Sequence, residues 1–305
     1  MTPDKYTITE TFLEVGDGHQ IYTQEWGNKA AKHTILYVHG GPGGGCSDRA
    51  KANFDPARHH VIFFDQRGCG RSLPYGSLEN NTTDKLIADI EHIAKHFNVK
   101  QFVLFGGSWG STLSLAYGIA HPERVTAMIL RGIFTARKHE GDWLDKGHFK
   151  TFYPDVWQAY LDRTPKSHHN DPTAYHLARV MGDDEQAAKE SSFAYGSLEL
   201  GIMTLDDRPK TLDLATYDPF PRLIEMYYLS KGCFLPEGHI MANAHKLPMP
   251  VHLVQGRYDF VCPPTTAYEL HQKLPNSTLS WTISGHSSSD RGNEDVAKAL
   301  LLQYC

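Results

Sequence analysis

The pentapeptide Gly106-Gly107-Ser108-Trp109-Gly110 lies between an apolar run, Phe102-Val103-Leu104-Phe105, and a helix-like run from Ser111 to His121. A G-x-S-x-G carries meaning only on a strand, tight turn and helix, where the turn lifts a serine hydroxyl out at the end of a sheet. Glycines flank the serine because the turn is strained and brings backbone segments too close for a Cβ. Here the context is right on both sides, so Ser108 is the candidate nucleophile.

Such a serine needs an oxyanion site, a base and an acid. Thr34-Ile35-Leu36-Tyr37-Val38 reads as a buried strand and runs into His39-Gly40-Gly41-Pro42-Gly43-Gly44-Gly45. In enzymes with this elbow, one oxyanion N–H comes from the residue after the nucleophile and the other from an HGG-type loop after an early strand. That assigns the backbone amides of Trp109 and Gly41, with Gly40 as the alternative to Gly41. The acid and base are expected later, in the order Ser, Asp/Glu, His. Pro250 to Gln255 is a late strand followed by Gly256-Arg257-Tyr258-Asp259, and Thr278 to Ile283 is another, ending in Ser284-Gly285-His286. Asp259 and His286 thus sit just past strand ends, on the rim where parallel sheets bind ligands. With 18 histidines in the chain, position singles out His286. Asp290 and Asp295 follow the histidine and are in the wrong order.

Strand signals recur around 34–39, 60–65, 101–106, 126–131, 250–255 and 278–283, with helical patterns between them. Leu86, Ile90, Ile93, Ala94 and Phe97 fall at helical spacing, with Thr82 or Thr83 as the N-cap and Asp84 in the first turn. Strands alternating with helices predict an α/β fold with a mostly parallel, doubly wound sheet. Ahead of it, Thr11 to Val15 and Gln20 to Gln24 flank Gly16-Asp17-Gly18, an expected antiparallel hairpin. The alternation breaks between about 134 and 245, where no convincing strand occurs. Trp143, Tyr153, Trp157, Tyr160, Tyr175, Tyr195, Tyr227 and Tyr228 enrich that stretch. It is expected to be a helical cap at 134–245, inserted into a core made of 1–133 and 246–305, its aromatics mostly packing inside the cap.

A chain of 305 residues has ample length for such a core. Its net charge of −5, without a basic patch, argues against nucleic acid as a partner. No apolar run approaches the roughly 18 residues that span a bilayer, so no membrane association is expected. Met1 to Tyr6 lacks the basic and apolar regions of a signal peptide. Five scattered cysteines without C-x-x-C spacing read as free thiols in a reducing compartment, the cytoplasm by default. Cys69 and Cys262 fall near the predicted rim loops, where thiol reagents would block access. No metal cluster or cofactor motif is evident, and oligomeric state stays open.

The stretches His39 to Gly44, Asp65-Gln66-Arg67-Gly68-Cys69-Gly70-Arg71-Ser72 and Gly106 to Thr112 together resemble the proline iminopeptidases. So do His121 to Val125, Leu130-Arg131-Gly132-Ile133-Phe134 and Gly256 to Asp259. The matches cover the hydrolase core on both sides of the insertion, and HGGPGG with DQRGCGRS is much narrower than G-x-S-x-G alone. The resemblance implies an α/β-hydrolase fold with an inserted helical cap. It also implies a prolyl aminopeptidase that releases an N-terminal residue, preferably proline, from small peptides or amino-acid amides, without metal or cofactor.

An aminopeptidase must also hold a cationic amine near the scissile carbonyl, for which carboxylates in a partly dry pocket are suited. The resemblance places two such glutamates at Glu199 and Glu225. Leu198 stands where the family often has tryptophan, and Met226-Tyr227 where it often has Asn-His. Asp65 and Arg67 are expected to order the loop beside the glycine run. The alternative reading is a serine esterase or amidase of the same fold, acting on small substrates that lack a free amine.

Overall fold

The computed structural model describes residues 4–205 and 211–304. Met1 to Pro3 of the N-terminal stretch, residues 206–210 of the strand-poor segment, and Cys305 lie outside them.

Among the described residues, eight strands form one sheet: β1 (Thr7–Glu14), β2 (Gln20–Gly27), β3 (Thr34–Val38), β4 (His60–Phe64), β5 (Phe102–Ser108), β6 (Val125–Ile133), β7 (Val251–Gly256) and β8 (Ser277–Thr282). Their spatial order is β1-β2-β4-β3-β5-β6-β7-β8. β1 and β2 are the hairpin read from the sequence, and β2 pairs antiparallel with β4; every pairing from β4 to β8 is parallel. The fold is thus the α/β architecture expected.

Helices cover both faces because the central strands are apolar on both. Leu36, Ile62, Leu104, Met128 and Leu253 join one core cluster, and their chain neighbours Ile35, Val61, Val103, Ala127 and Ile129 join the other. The period of two in side-chain direction sorts them. On the first face lie α2 (Thr83–His96), α3 (Trp109–Ala120) and α10 (Pro264–Lys273); on the second lie the short α1 (Asp48–Lys51) and α11 (Arg291–Leu301). Leu86, Ile90, Ile93 and Ala94 form the buried stripe of α2, as their spacing predicts. Thr82 occupies its N-cap, but neither threonine caps a helix amide. The Thr82 hydroxyl goes to Asp84, and that of Thr83 donates to the Cys233 carbonyl at 2.6 Å.

Between β6 and β7 run α4 (Lys138–Asp145), α5 (Pro154–Leu161), α6 (Pro172–Val180), α7 (Glu185–Ile202), α8 (Phe220–Ser230) and α9 (His239–Asn243), with no strand among the described residues. Leu144, Phe149, Tyr160, Tyr195, Leu198 and Met226 give these helices a cluster of their own. From α8 onward the chain also feeds the main core through Ile224, Tyr228, Cys233 and Ile240. The Tyr228 ring meets Trp109 edge-on at 5.1 Å, and its hydroxyl donates to Asn81 at 2.8 Å. Tyr228 therefore packs against the nucleophile's neighbour as well as within the inserted helices.

Candidate active site

Ser108 ends β5 with φ 57° and ψ −129°, and the next residue opens α3. A non-glycine residue held in such a conformation costs on the order of 1–3 kcal/mol, so its surroundings must fix it. The Ser111 hydroxyl donates to the Ser108 carbonyl at 2.7 Å. Trp109 is fully buried, and its indole N–H donates to Gln66 Oε1 at 2.8 Å. A Cβ on Gly110 would stand 2.2 Å from the Val38 carbonyl oxygen, so only glycine lets the elbow close against the end of β3.

That contact also aligns the glycine loop after β3. The Gln66 backbone N–H donates to His39 Nε2 and its side-chain amide to the His39 carbonyl, both at 2.9 Å. His39 Nδ1 faces the Gly40 carbonyl at 2.9 Å, which fits a neutral ring protonated on Nδ1. Burial holds His39 below the usual imidazole range and favours that neutral form. Gln66 thus ties the loop and the elbow together. Gly41 has φ +117°, and the Trp109 amide opens a helix, where no preceding turn supplies an acceptor.

Asp65 and Arg67 hold the neighbouring loop. Asp65 accepts from the backbone of Cys46 at 2.6 Å and from Arg71 Nε at 2.8 Å. Burial opposes its charge, but these donors outweigh burial and hold the carboxyl below its ordinary range. Arg67 forms a two-pronged pair with Asp89, both contacts at 2.8 Å.

Asp259 Oδ2 lies 2.9 Å from His286 Nδ1, and both residues are buried. The other carboxylate oxygen accepts from the amides of Val261 at 3.0 Å and Cys262 at 2.8 Å. Gln255, on β7, adds a donor to Oδ2 at 3.1 Å. The acid therefore has a single orientation, with Oδ2 aimed at the ring. The His286 loop is fixed as closely. Its amide donates to the Met203 carbonyl at 2.9 Å, and Arg131 Nη1 donates to the His286 carbonyl at 3.0 Å. Asp290 accepts from Gly285 N at 2.6 Å and so supports this loop. Gly132, at φ +51°, lets the imidazole lie against β6, since a Cβ there would come within 2.8 Å of His286 Cε1.

A cavity of about 260 Å³ joins Gly41, Ser108, Glu199, Arg222, Glu225 and His286. An adjoining recess again touches Ser108 and both glutamates and is walled by Phe134, Leu144, Tyr195, Leu229, Val261 and Cys262. Glu199 on α7 and Glu225 on α8 are buried, and Arg222 Nη1 ion-pairs with both. Burial pushes the Glu225 carboxyl up; Arg222 draws it back, and the Glu199 charge adds to the rise. Cys69 and Cys262 are buried, and burial raises both thiols. Cys262 borders the recess beside Ser108, as its place near a rim loop suggests, whereas Cys69 lines neither cavity.

A family model described as the alpha/beta hydrolase fold matches residues 33–288. A proline iminopeptidase of Arabidopsis thaliana is 37% identical over 288 residues, covering 92% of this chain and 75% of that protein. One of Xylella fastidiosa is 36% identical over 300 residues, covering 96% of each. The chain belongs to the proline iminopeptidase family of α/β hydrolases. Among solved structures, a proline iminopeptidase of Mycobacterium smegmatis superposes with TM-score 0.65 at 16% identity, over 97% of this chain and 98% of that one. An esterase of Exiguobacterium antarcticum gives 0.67 at 18%, over 97% and 99%. Likeness at that identity shows the shared fold.

Within this family member, the structure gathers Gly41, Ser108, Glu199, Glu225 and His286 on one cavity, with Asp259 bonded to the histidine and Trp109 adjoining the serine. Sequence reasoning missed Gln66, Gly132, Gln255 and Arg222. Gln66 and Gly132 lie in recognised motifs, but their partners are remote in sequence. Arg222 had a local signal, since it stands three residues before Glu225 on one helix, the spacing of an ion pair.

Proposed function

We propose that the protein is a serine aminopeptidase that releases an N-terminal residue, proline by preference, from small peptides and amino-acid amides. The observation that carries this reading is the placement of two buried carboxylates, Glu199 and Glu225, on the same cavity as Ser108 and His286. An ester or acyl-amide hydrolase has no need for buried anions beside its nucleophile, whereas a cationic terminus does. The relatives named proline iminopeptidase support the same chemistry.

In this mechanism His286, oriented by Asp259, takes the Ser108 proton as the hydroxyl attacks the carbonyl of the first residue. The Gly41 and Trp109 amides receive the oxyanion; one such donor is typically worth on the order of 10²–10³ in rate. The tetrahedral intermediate collapses to an acyl-enzyme on Ser108 as His286 protonates the departing amine. Water, deprotonated by His286, then attacks the ester and restores the serine. The walls of Phe134, Leu144, Leu229 and Val261 suit an apolar ring such as that of proline. The helices of 134–245 act as a cap on the core of 1–133 and 246–305, supplying both glutamates and limiting the site to short peptides. A cytoplasmic setting fits the free thiols of Cys46, Cys69, Cys233 and Cys262. No helix among the described residues is long and apolar enough to cross a membrane.

Hydrolysis of aminoacyl-naphthylamides, with proline and alanine at the first position, tests the reading beside N-acetylprolyl-naphthylamide and a short-chain nitrophenyl ester. Cleavage of the free prolyl amide with loss of the acetylated one is expected. Ester cleavage without any amide cleavage would sink it.

A further inference from the structure

We infer that Arg222 is a specificity-determining residue, an internal cation seated between Glu199 and Glu225 in the place a substrate ammonium has to take. The inference rests on the aminopeptidase reading for its substrate and on the geometry of three side chains for its substance. Arg222 Nη1 contacts Oε2 of Glu199 and Oε2 of Glu225, which come from different helices. No other cation among the described residues forms an ion pair with either carboxylate. The glutamates are almost closed off, with side-chain exposures of 7% and 5%, while Arg222 retains 21%. Arg222 therefore reaches the carboxylates from the open side, along the wall of the cavity that holds Ser108.

Two buried carboxylates set side by side repel each other and lose hydration, and a cation between them offsets both penalties. Because Arg222 and Glu225 are three residues apart on α8, this cation is in place before any ligand arrives. A substrate amine then has to displace a guanidinium N–H from at least one oxygen. A substrate whose nitrogen is acylated meets no such competitor, because it makes no demand on the carboxylates. Arg222 thereby weakens the binding of free amines and narrows the discrimination between free and blocked N-termini. For an ammonium to replace it, the guanidinium has to leave the carboxylates and the Tyr217 hydroxyl and move toward the side on which 21% of the side chain faces solvent.

The test compares wild type with Arg222→Gln and Arg222→Lys. Binding of pyrrolidinium, which carries proline's ring amine and no scissile bond, is measured by calorimetry. The ratio of kcat/KM for prolyl- over N-acetylprolyl-naphthylamide is measured beside it. Arg222→Gln is expected to bind pyrrolidinium at least tenfold more tightly and to raise the ratio by a similar factor through KM. That factor follows from relieving competition for one charge-assisted hydrogen bond. Arg222→Lys, which keeps an ammonium between the carboxylates, is expected to bind it as weakly as wild type. Unchanged or weaker pyrrolidinium binding in Arg222→Gln would overturn the inference, showing that the guanidinium supports the glutamates and does not compete for them. Equal tightening in both variants would overturn it as well, because shape and not charge would then be the cause. If Arg222→Gln does not fold, Arg222→Met gives the same reading with the apolar stem retained. A wild-type enzyme that cleaves no aminoacyl amide would end the aminopeptidase reading, and the pyrrolidinium comparison would still decide the role of Arg222.

Discussion

Ser108 is strained into position, and Asp259 and His286 are held by more bonds than their mutual contact alone. Ser108→Ala is expected to lower kcat/KM by more than about 10⁴-fold, as removing a triad nucleophile does, with little change in Tm. Unchanged turnover of the best substrate would make the triad assignment wrong. Asp259→Asn tests orientation more finely. The carboxylate accepts from Val261, Cys262, Gln255 and His286 at once. An amide has one acceptor oxygen, and its NH₂ turned toward Nδ1 would force the ring proton onto Nε2, the tautomer that cannot act as base. A loss of about 10⁴ in kcat is expected from that change, read in a pH–rate profile beside wild type. Gly132→Ala puts a Cβ within 2.8 Å of His286 Cε1 at a position of positive φ. Displacing the imidazole by a fraction of an ångström is expected to cost up to about 10²-fold in kcat, with KM less affected.

At the scale of elements, the glycine loop and the elbow belong to different βα units, and Gln66 is the joint between them. Gln66→Leu would leave the Trp109 indole N–H and the His39 carbonyl without their partners, both in buried surroundings. Each unsatisfied group costs about 1–3 kcal/mol, so a loss of about 3 kcal/mol in urea unfolding is expected together with a lower kcat. A lower stability with kcat intact would show that the joint holds the fold and not the oxyanion site. What the sequence revealed about these elements follows from the range of the forces involved. β3, β5 and β7 were legible because runs apolar on both faces fit only central parallel strands. The elbow was legible because strand, glycines and helix are contiguous. The Gln66 joint was not, since its acceptor and donors are 27 and 43 residues away and no local pattern encodes them. Of the two threonines offered as N-cap of α2, Thr82 takes that position, but its hydroxyl goes to Asp84 and not to a helix amide, and Thr83, inside the first turn, donates to the remote Cys233 carbonyl.

Across the whole molecule, the inserted helices bring acidic groups into dry surroundings, and Glu225 is not the only one. Asp145, at the end of α4, is pushed up to about 7 by burial first and then by the charges of Asp142 and Asp171. Its buried Oδ1 has no well-formed hydrogen bond among the described residues, and the nearby Tyr195 and Thr173 hydroxyls draw the carboxyl back only in part. An acid whose folded-state pKa lies above its unfolded value of 3.8 keeps in the native state a proton that the unfolded chain releases. Stability therefore carries no penalty from Asp145 below about pH 4, declines as pH rises toward 7, and bears the full penalty above that. This is opposite in sign to a carboxylate such as Asp65, which is held low by Arg71 and stabilises the fold once ionised. Asp145→Asn, a neutral near-isostere of the protonated acid, is expected to match wild type in Tm at pH 4 and to exceed it by several degrees at pH 8. An equal fall in Tm at both pH values would show instead that the Asp145 side chain holds the inserted helices through bonds that asparagine cannot make, and that no buried charge opposes them.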